Sequence, residues 1–148
     1  MSNNLMHPEI ISKLASRYFS LTIIPDQHTT KIQVEENDMV YLMEQLKNAP
    51  ELHFELLLDI TAVDYKDHYM IVYNLFSLKH GHKIMVMCRI AHENPSIVTI
   101  SDLYPAAEVL ECEVYDLMGI EFISHPNLRR ILLSEDFEGY PLRKDFKN

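Results

Sequence analysis

The chain has 148 residues, 47% hydrophobic and 24% charged, which is typical of one folded domain and not of a disordered chain. Its formal net charge of −9 argues against a nucleic-acid partner. The charge is uneven, because no Lys or Arg occurs between Arg89 and Arg129 whereas acidic residues accumulate there. This acidic stretch predicts a partner with a basic surface; its members are Glu93, Asp102, Glu108, Glu111, Glu113, Asp116 and Glu121.

The opening residues show neither the basic nor the apolar region of a signal peptide, and the longest apolar stretches are too short to span a bilayer. We therefore expect a cytoplasmic protein without direct membrane insertion. Cys88 and Cys112 are far apart and form no CxxC motif, which favours free thiols.

In the first half of the chain, apolar residues at helical spacing predict a helix over residues 8–18. Short strands are predicted at 21–24 and 31–34, on either side of a turn at Pro25-Asp26. Asp38 is expected to cap an amphipathic helix that ends before Pro50, with an apolar stripe formed by Met39, Leu42, Met43 and Leu46.

Three further strands are predicted at residues 54–63, 69–78 and 83–90, the middle one apolar on both faces and hence internal in the sheet. A third helix is predicted over 101–118 and ends at Gly119. Its apolar stripe should face the sheet, with Glu108, Glu111, Tyr115 and Asp116 facing elsewhere. The order indicates an α+β fold with a mostly antiparallel sheet and amphipathic helices on one side.

The C-terminal segment is dense in charge, with two Pro and two Gly after Glu111, yet it also carries spaced apolar residues. This pattern predicts a globular domain over residues 1–122 and an extended interaction arm over 123–148. We expect the arm to leave the globular body and lie on another protein, held by apolar anchors and charge pairs.

Few residues suggest chemistry. His80 and His82 flank a turn without a third metal ligand, and neither Cys88 nor Cys112 has the neighbours that a zinc or iron–sulfur site needs. The three glycines form no phosphate-binding loop. The acids at 111, 113 and 116 are either an acid–base cluster or a solvated helix face. No catalytic, cofactor-binding or metal-binding residue is predicted.

The segments ECEVYDLMGIEF, HPNLRRILL and EDFEGYPLRKDF resemble, without a gap, the C-terminal motif of the 30 kDa subunit family of NADH-quinone oxidoreductase (respiratory complex I). Upstream, LLLDITAVDY and MIVYNLFSL are similar to two strands of that family. Four positions depart from the family pattern: Cys112 replaces Arg, Asn127 replaces Asp, Phe137 replaces Trp and Tyr140 replaces His.

The resemblance implies a non-catalytic subunit that binds no cofactor. It would dock on the hydrogenase-like large subunit, beside the small iron–sulfur subunit, on the cytoplasmic side of the membrane. Iron–sulfur clusters, with flavin or nickel–iron according to the parent complex, would belong to partner subunits. The tail and the resemblance together assign partner binding to Glu111, Glu113, Asp116, His125, Pro126, Arg129, Arg130, Gly139, Pro141, Arg143, Lys144 and Asp145.

Three alternatives remain open. The parent complex could be an energy-converting membrane-bound nickel–iron hydrogenase or a formate hydrogenlyase-type complex, whose counterparts are similar in their short form. A free-standing enzyme would use His125, the Arg129-Arg130 pair and Asp116 on a small anionic substrate. A stand-alone binding adaptor is the third possibility.

Overall fold

The structure is a computed structural model that describes residues 21–24 and 30–147. The helix predicted over residues 8–18 and the turn at Pro25-Asp26 lie outside these residues. Two α-helices and seven strands follow one another in the described part: β1 (Thr22–Ile24), β2 (Thr30–Val34), α1 (Met39–Asn48), β3 (Leu56–Asp64), β4 (His68–Ser77), β5 (His82–Ala91), β6 (Ser96–Val98), α2 (Ala107–Met118) and β7 (Glu121–Ile123).

The main sheet has five strands in the order β1-β2-β5-β4-β3. Neighbouring strands run antiparallel, except that β2 and β5 are parallel. The predicted strands at 54–63, 69–78 and 83–90 correspond to β3, β4 and β5, and β4 is internal. The predicted α+β class with a mostly antiparallel sheet is confirmed.

Alternation along the strands decides which face of the sheet is buried. In β4 every second residue from Tyr69 to Ser77 is buried, and Tyr73 lies opposite both Val86 of β5 and Ile60 of β3. Side chains two residues apart point to the same face, so these rows form one apolar surface. Buried apolar residues of both helices, among them Leu42 and Val114, belong to the same hydrophobic core as this surface.

Helix α1 agrees with the prediction in its bounds and in its apolar stripe. Its buried residues are Met39, Leu42, Met43 and Leu46, and it ends one residue before Ala49-Pro50. Asp38 precedes the helix as expected, but its side chain makes no cap hydrogen bond, because a 3-10 turn over Glu36–Asp38 leads into the helix instead.

Helix α2 is shorter than predicted, since residues 101–106 form turns and the helix begins at Ala107. Pro105 explains the difference: it lacks an N–H group, and it disfavours helical geometry at the preceding residue. A turn replaces the first part of the predicted helix. In this turn the N–H of Tyr104 donates to the carbonyl of Ile100 (2.9 Å).

Strands β6 and β7 were not predicted. They form a separate two-stranded parallel sheet in which Ile97 lies opposite Phe122. Each has only three residues, too few for a periodic pattern to show in the sequence. This small sheet brings the residues before and after α2 together, and so places Thr99 and His125 near the helix.

Candidate partner-binding site

Asp116 of α2 is the point where the C-terminal segment attaches to the helix. Its side chain is fully buried, and one carboxylate oxygen, Oδ2, accepts the backbone N–H groups of Ile131 (3.1 Å), Leu132 (2.6 Å) and Leu133 (3.0 Å). The other oxygen accepts Arg130 Nη1 at 2.9 Å. Burial would raise the pKa of this carboxyl, but the N–H donors and the guanidinium outweigh it and hold the pKa below 3.8.

Two guanidinium groups lie on Tyr140. The guanidinium carbons of Arg130 and Arg143 are each 4.8 Å from the centre of its ring. Arg130 also donates through Nη2 to the carbonyl of Gly139 (2.7 Å). A cation over an aromatic face is stabilised by the ring quadrupole. Residues from both ends of the arm are thereby held together.

Gly119 ends α2 with a left-handed φ of 73°, and Arg143 caps the helix end there. Arg143 Nε donates to the carbonyl of Met118 (2.5 Å) and Nη2 to that of Gly119 (3.3 Å). A Cβ atom at Gly119 would lie 2.5 Å from Arg143 Nη2 and 2.6 Å from the ring of Tyr140. A glycine is therefore required both by the backbone and by the close approach of the arm.

Asp64, at the end of β3, fixes the last part of the arm and was not among the predicted site residues. Its Oδ2 accepts the N–H of Lys144 (2.9 Å), and its Oδ1 accepts the N–H of Lys66 (2.8 Å) and lies 3.3 Å from His92 Nε2. Burial opposes ionisation, yet these donors lower the pKa of the Asp64 carboxyl below 3.8. Asp64 lies in the segment LLLDITAVDY, which resembles a strand of the family, and this resemblance is the signal by which the residue could be found. The segment alone does not indicate which groups Asp64 binds.

Glu111 is also fully buried, which corrects the expectation that it faces away from the core. Its carboxylate accepts the hydroxyl of Thr99 and the N–H of Ile100 (2.9 Å), and it lies 3.8 Å from His125 Nε2. Burial raises the pKa of this carboxyl, and the two donors offset the rise only in part. Glu111 is buried because α2 is covered on two sides. The sheet covers one side, and the segments with Thr99 and His125 cover the other.

His125 binds backbone groups through both ring nitrogens. The N–H of Asn127 donates to Nδ1 (3.0 Å), so this nitrogen carries a lone pair, and Nε2 donates to the carbonyl of Glu108 (2.9 Å). The Cys112 thiol donates to the carbonyl of Asn127 (3.5 Å) and is buried beneath the same loop. His125 and Cys112 therefore attach the start of the arm to α2.

The arm contains neither helix nor strand over residues 124–147, but it does not leave the globular body as expected. It follows α2 and β3, because the buried carboxylates of Asp116 and Asp64 take its backbone N–H groups as donors. Whether residues 123–148 act as an interaction segment stays a prediction.

The predicted site residues thus divide into three groups. Those turned inward are Glu111, Asp116, His125, Arg130 and Arg143, all bonded to groups of this chain. Glu113 and Pro141 are half-buried, and those at the surface are Pro126, Arg129, Gly139, Lys144 and Asp145. Of the groups that a free-standing enzyme would use, His125 is bonded to backbone groups and Asp116 to Arg130, whereas Arg129 lies at the surface.

In the part of the chain that the structure describes, no group of three or more His, Cys, Asp or Glu residues could hold a metal ion. Within the same residues, no helix is long and apolar enough to cross a membrane.

A family model for the 30 kDa subunit of the respiratory-chain NADH dehydrogenase matches residues 32–148. The chain belongs to this family. An NADH-quinone oxidoreductase subunit of Geobacter metallireducens is 42% identical over 119 residues, which cover 78% of this chain and 72% of that protein. Members of the family are subunits of a multisubunit respiratory complex.

Two solved structures share the fold. A chain of the membrane-bound sulfane sulfur reductase, an archaeal respiratory membrane complex, matches with a TM-score of 0.82 and 27% identity, covering 94% of this chain and 84% of that chain. The trypsin-resistant fragment of Nqo5 matches with a TM-score of 0.72 and 28% identity, covering 83% of this chain and 100% of the fragment.

The acids around Cys112, where the family pattern has Arg, are expected to pair with basic groups of the tail or of a partner. Asp116 does pair with Arg130. Glu111 instead binds a hydroxyl and a backbone N–H, and Glu113 has no hydrogen bond or ion pair to any described residue. With Cys at position 112, the carboxylates of Asp116 and Glu111 have partners within this chain. The carboxylate of Glu113 has none among the described residues.

Proposed function

We propose that this chain is a cofactor-free peripheral subunit of a complex I-type NADH-quinone oxidoreductase. In this proposal it docks on the hydrogenase-like large subunit, beside the small iron–sulfur subunit, on the cytoplasmic side of the membrane. It supports assembly and electron transfer, while redox chemistry belongs to the other subunits. Membership of the family supports the parent complex, and the arm supports docking as the means.

The observation that carries the docking proposal concerns the arm. Its backbone is hydrogen-bonded to the globular body, whereas its outward side chains are exposed to solvent. Asp116, Asp64 and the carbonyl of Leu117 near the end of α2 hold the backbone through its N–H groups. Leu132 and Leu142 remain 60% and 59% exposed, and the side chains of Arg129 and Lys144 lie at the surface. Because the arm is ordered before it binds, association loses less conformational entropy.

The test is co-purification of the complex through a tag on one of the other subunits, with the unaltered chain or the double variant Arg129→Glu, Lys144→Glu. We expect the double variant to reduce the amount of this chain in the complex. The matched control is Lys79→Glu, in the exposed turn between β4 and β5. Equal recovery of the double variant and the control would reject docking through the basic side chains of the arm.

A second candidate is the equivalent subunit of an energy-converting membrane-bound nickel–iron hydrogenase or a formate hydrogenlyase-type complex. The observation that favours it is the TM-score of 0.82 to a chain of a respiratory membrane complex other than a quinone oxidoreductase. Metal and flavin analysis of the purified complex separates the two, together with its activity. Flavin and NADH-dependent quinone reduction support the first candidate, whereas nickel and hydrogen evolution support the second.

A further inference from the structure

We infer that the groove between α2 and β3 receives an apolar segment of a neighbouring subunit, which also carries a Lys or Arg that pairs with Glu113. This inference rests on the proposed function, because it needs a parent complex. It adds a second contact surface that lies beside the arm and includes residues of the main sheet.

The groove encloses about 330 Å³ and is lined mainly by apolar side chains. One wall is the edge strand β3, whose Ile60 and Ala62 lie opposite Tyr73 and Ile71 and so share the core-facing side of the sheet. Because β3 is the last strand in the sheet order, no further described strand lies along its outer edge. The other wall comes from α2, and the described residues that line the groove are Ile60, Thr61, Ala62, Glu113, Val114, Leu117, Met118 and Leu142.

Among the described residues that line the groove, Glu113 alone is ionisable. It is half-buried and has no hydrogen bond or ion pair to any described residue, unlike Glu111 and Asp116 on the same helix. A carboxylate that is partly removed from water beside apolar walls is unfavourable unless a donor or cation meets it.

The described part of this chain does not supply that cation. No Lys or Arg occurs between Arg89 and Arg129, and the guanidinium groups of Arg130 and Arg143 are taken by carbonyls and by Asp116. Within residues 21–24 and 30–147 the carboxylate of Glu113 is unmatched, and its charge is complementary to a basic side chain of a neighbouring subunit. A purely apolar lipid chain would leave Glu113 unpaired.

Leu142 presents an apolar side chain at the groove in a fixed position. Its N–H donates to the carbonyl of Leu117 (3.0 Å), and its neighbour Arg143 is bonded to the carbonyl of Met118. The side chain is nevertheless 59% exposed. An exposed leucine on an ordered backbone is suited to be an interface anchor, because little entropy is lost when it is buried.

The occupant is therefore a protein segment with apolar residues that fill the groove and a Lys or Arg close to them in sequence. On a helix, a basic residue three or four positions from an apolar one lies on the same face and reaches Glu113. In an extended segment, a spacing of two residues has the same effect.

Site-specific photo-crosslinking in the assembled complex tests the occupant directly. The photoreactive residue p-benzoylphenylalanine replaces Ala62 in one variant and Leu142 in another, and crosslinked peptides are identified by mass spectrometry. We expect both positions to crosslink one segment of a neighbouring subunit, with a Lys or Arg within four residues of the attachment point. A crosslink to lipid or quinone, to a second copy of this chain, or to this chain alone would overturn the inference.

Charge and apolar variants supply a second measurement. We expect Glu113→Lys and Leu142→Asp each to weaken incorporation into the complex by about tenfold or more, as at interface positions that carry much of the binding energy. The controls are Glu44→Lys on the exposed face of α1 and Leu78→Asp, whose side chain is 66% exposed. A Glu introduced at the basic residue of the crosslinked segment should restore incorporation of Glu113→Lys.

The outcomes separate this inference from the proposed function. If the unaltered chain co-purifies with none of the other subunits, the proposed function itself is contradicted. A chain that does co-purify, with groove variants that behave like their controls, contradicts only the docking groove.

Discussion

Three buried carboxylates, Asp64, Glu111 and Asp116, connect distant parts of the chain. Each accepts at least one backbone N–H from another segment of the chain. Asp64 accepts that of Lys144, Glu111 that of Ile100 and Asp116 that of Leu132. A buried carboxylate is stable only when its oxygens accept hydrogen bonds. The requirement for these donors fixes the position of the segments that supply them. These residues therefore determine the path of the arm and of the small sheet.

At the residue scale, Gly119→Ala is expected to destabilise the chain more than Gly81→Ala. Both glycines have a left-handed φ, 73° and 69°, so both variants lose about 1 kcal/mol from the backbone alone. A Cβ at Gly81 meets nothing within 4 Å, whereas one at Gly119 meets Arg143 and Tyr140. Urea unfolding of the two variants measures the difference, and equal losses would show that the arm does not press on Gly119.

At the element scale, the arm is held by specific backbone contacts and not by regular structure. Amide exchange in the isolated subunit should therefore be slow at residues 131–133, whose N–H groups bond to Asp116, and fast at exposed Glu135 and Asp136. Asp116→Asn should accelerate exchange at 131–133, because an amide replaces the charged acceptor and Arg130 keeps only its carbonyl partners. Breaking such a buried pair costs about 3–5 kcal/mol.

The control for this exchange experiment is Glu44→Gln, which changes an exposed acid on α1 and should leave residues 131–133 unchanged. Fast exchange throughout residues 125–147 of the unaltered chain would contradict the attachment seen in the structure.

The arm also covers one of the two free cysteines. Cys112 is 4% exposed and lies beneath His125 and Asn127, whereas Cys88 is buried in the core on β5. A chain shortened to residues 1–122 should expose Cys112 to alkylation while Cys88 stays protected. Mass spectrometry after iodoacetamide treatment distinguishes the two sites, and labelling of Cys88 to the same extent would indicate general unfolding instead.

At the scale of the whole molecule, the free energy of unfolding should depend on pH through the three buried carboxyls. Asp64 and Asp116 act in one direction and Glu111 in the other. The pKa values of Asp64 and Asp116 are lowered, so their contribution is present above 3.8 and is lost as pH falls through their folded values. The pKa of Glu111 is raised, so its contribution is present below 4.5 and is lost as pH rises through its folded value.

Glu111→Gln isolates the second effect, because glutamine does not ionise. We expect the free energy of unfolding of the unaltered chain to fall relative to that of Glu111→Gln as pH rises above 4.5, whereas both should lose stability in stronger acid. Denaturant unfolding at a series of pH values provides the measurement. Parallel curves for the two proteins above pH 4.5 would show that Glu111 keeps its ordinary pKa in the fold.

The sequence by itself determined the parts of the molecule that repeat along the chain. The alternation in β5 and the apolar stripe of α1 follow from periods of two and 3.6 residues, which bury one face of each element. The motif from Glu111 to Phe146 likewise indicated the family, because it resembles that family's pattern without a gap. These features require only local order in the chain.

Only the tertiary structure decided where the polar residues of the motif point. The helical period placed Glu111 and Asp116 away from the core, but α2 is covered on a second side by Thr99, His125 and the arm, so both acids are buried. Asp64 acquired its role from Lys144, 80 residues away. A sequence pattern describes one face of one element, whereas the donor that satisfies a buried carboxylate comes from a distant segment, and its position depends on the path of the whole chain.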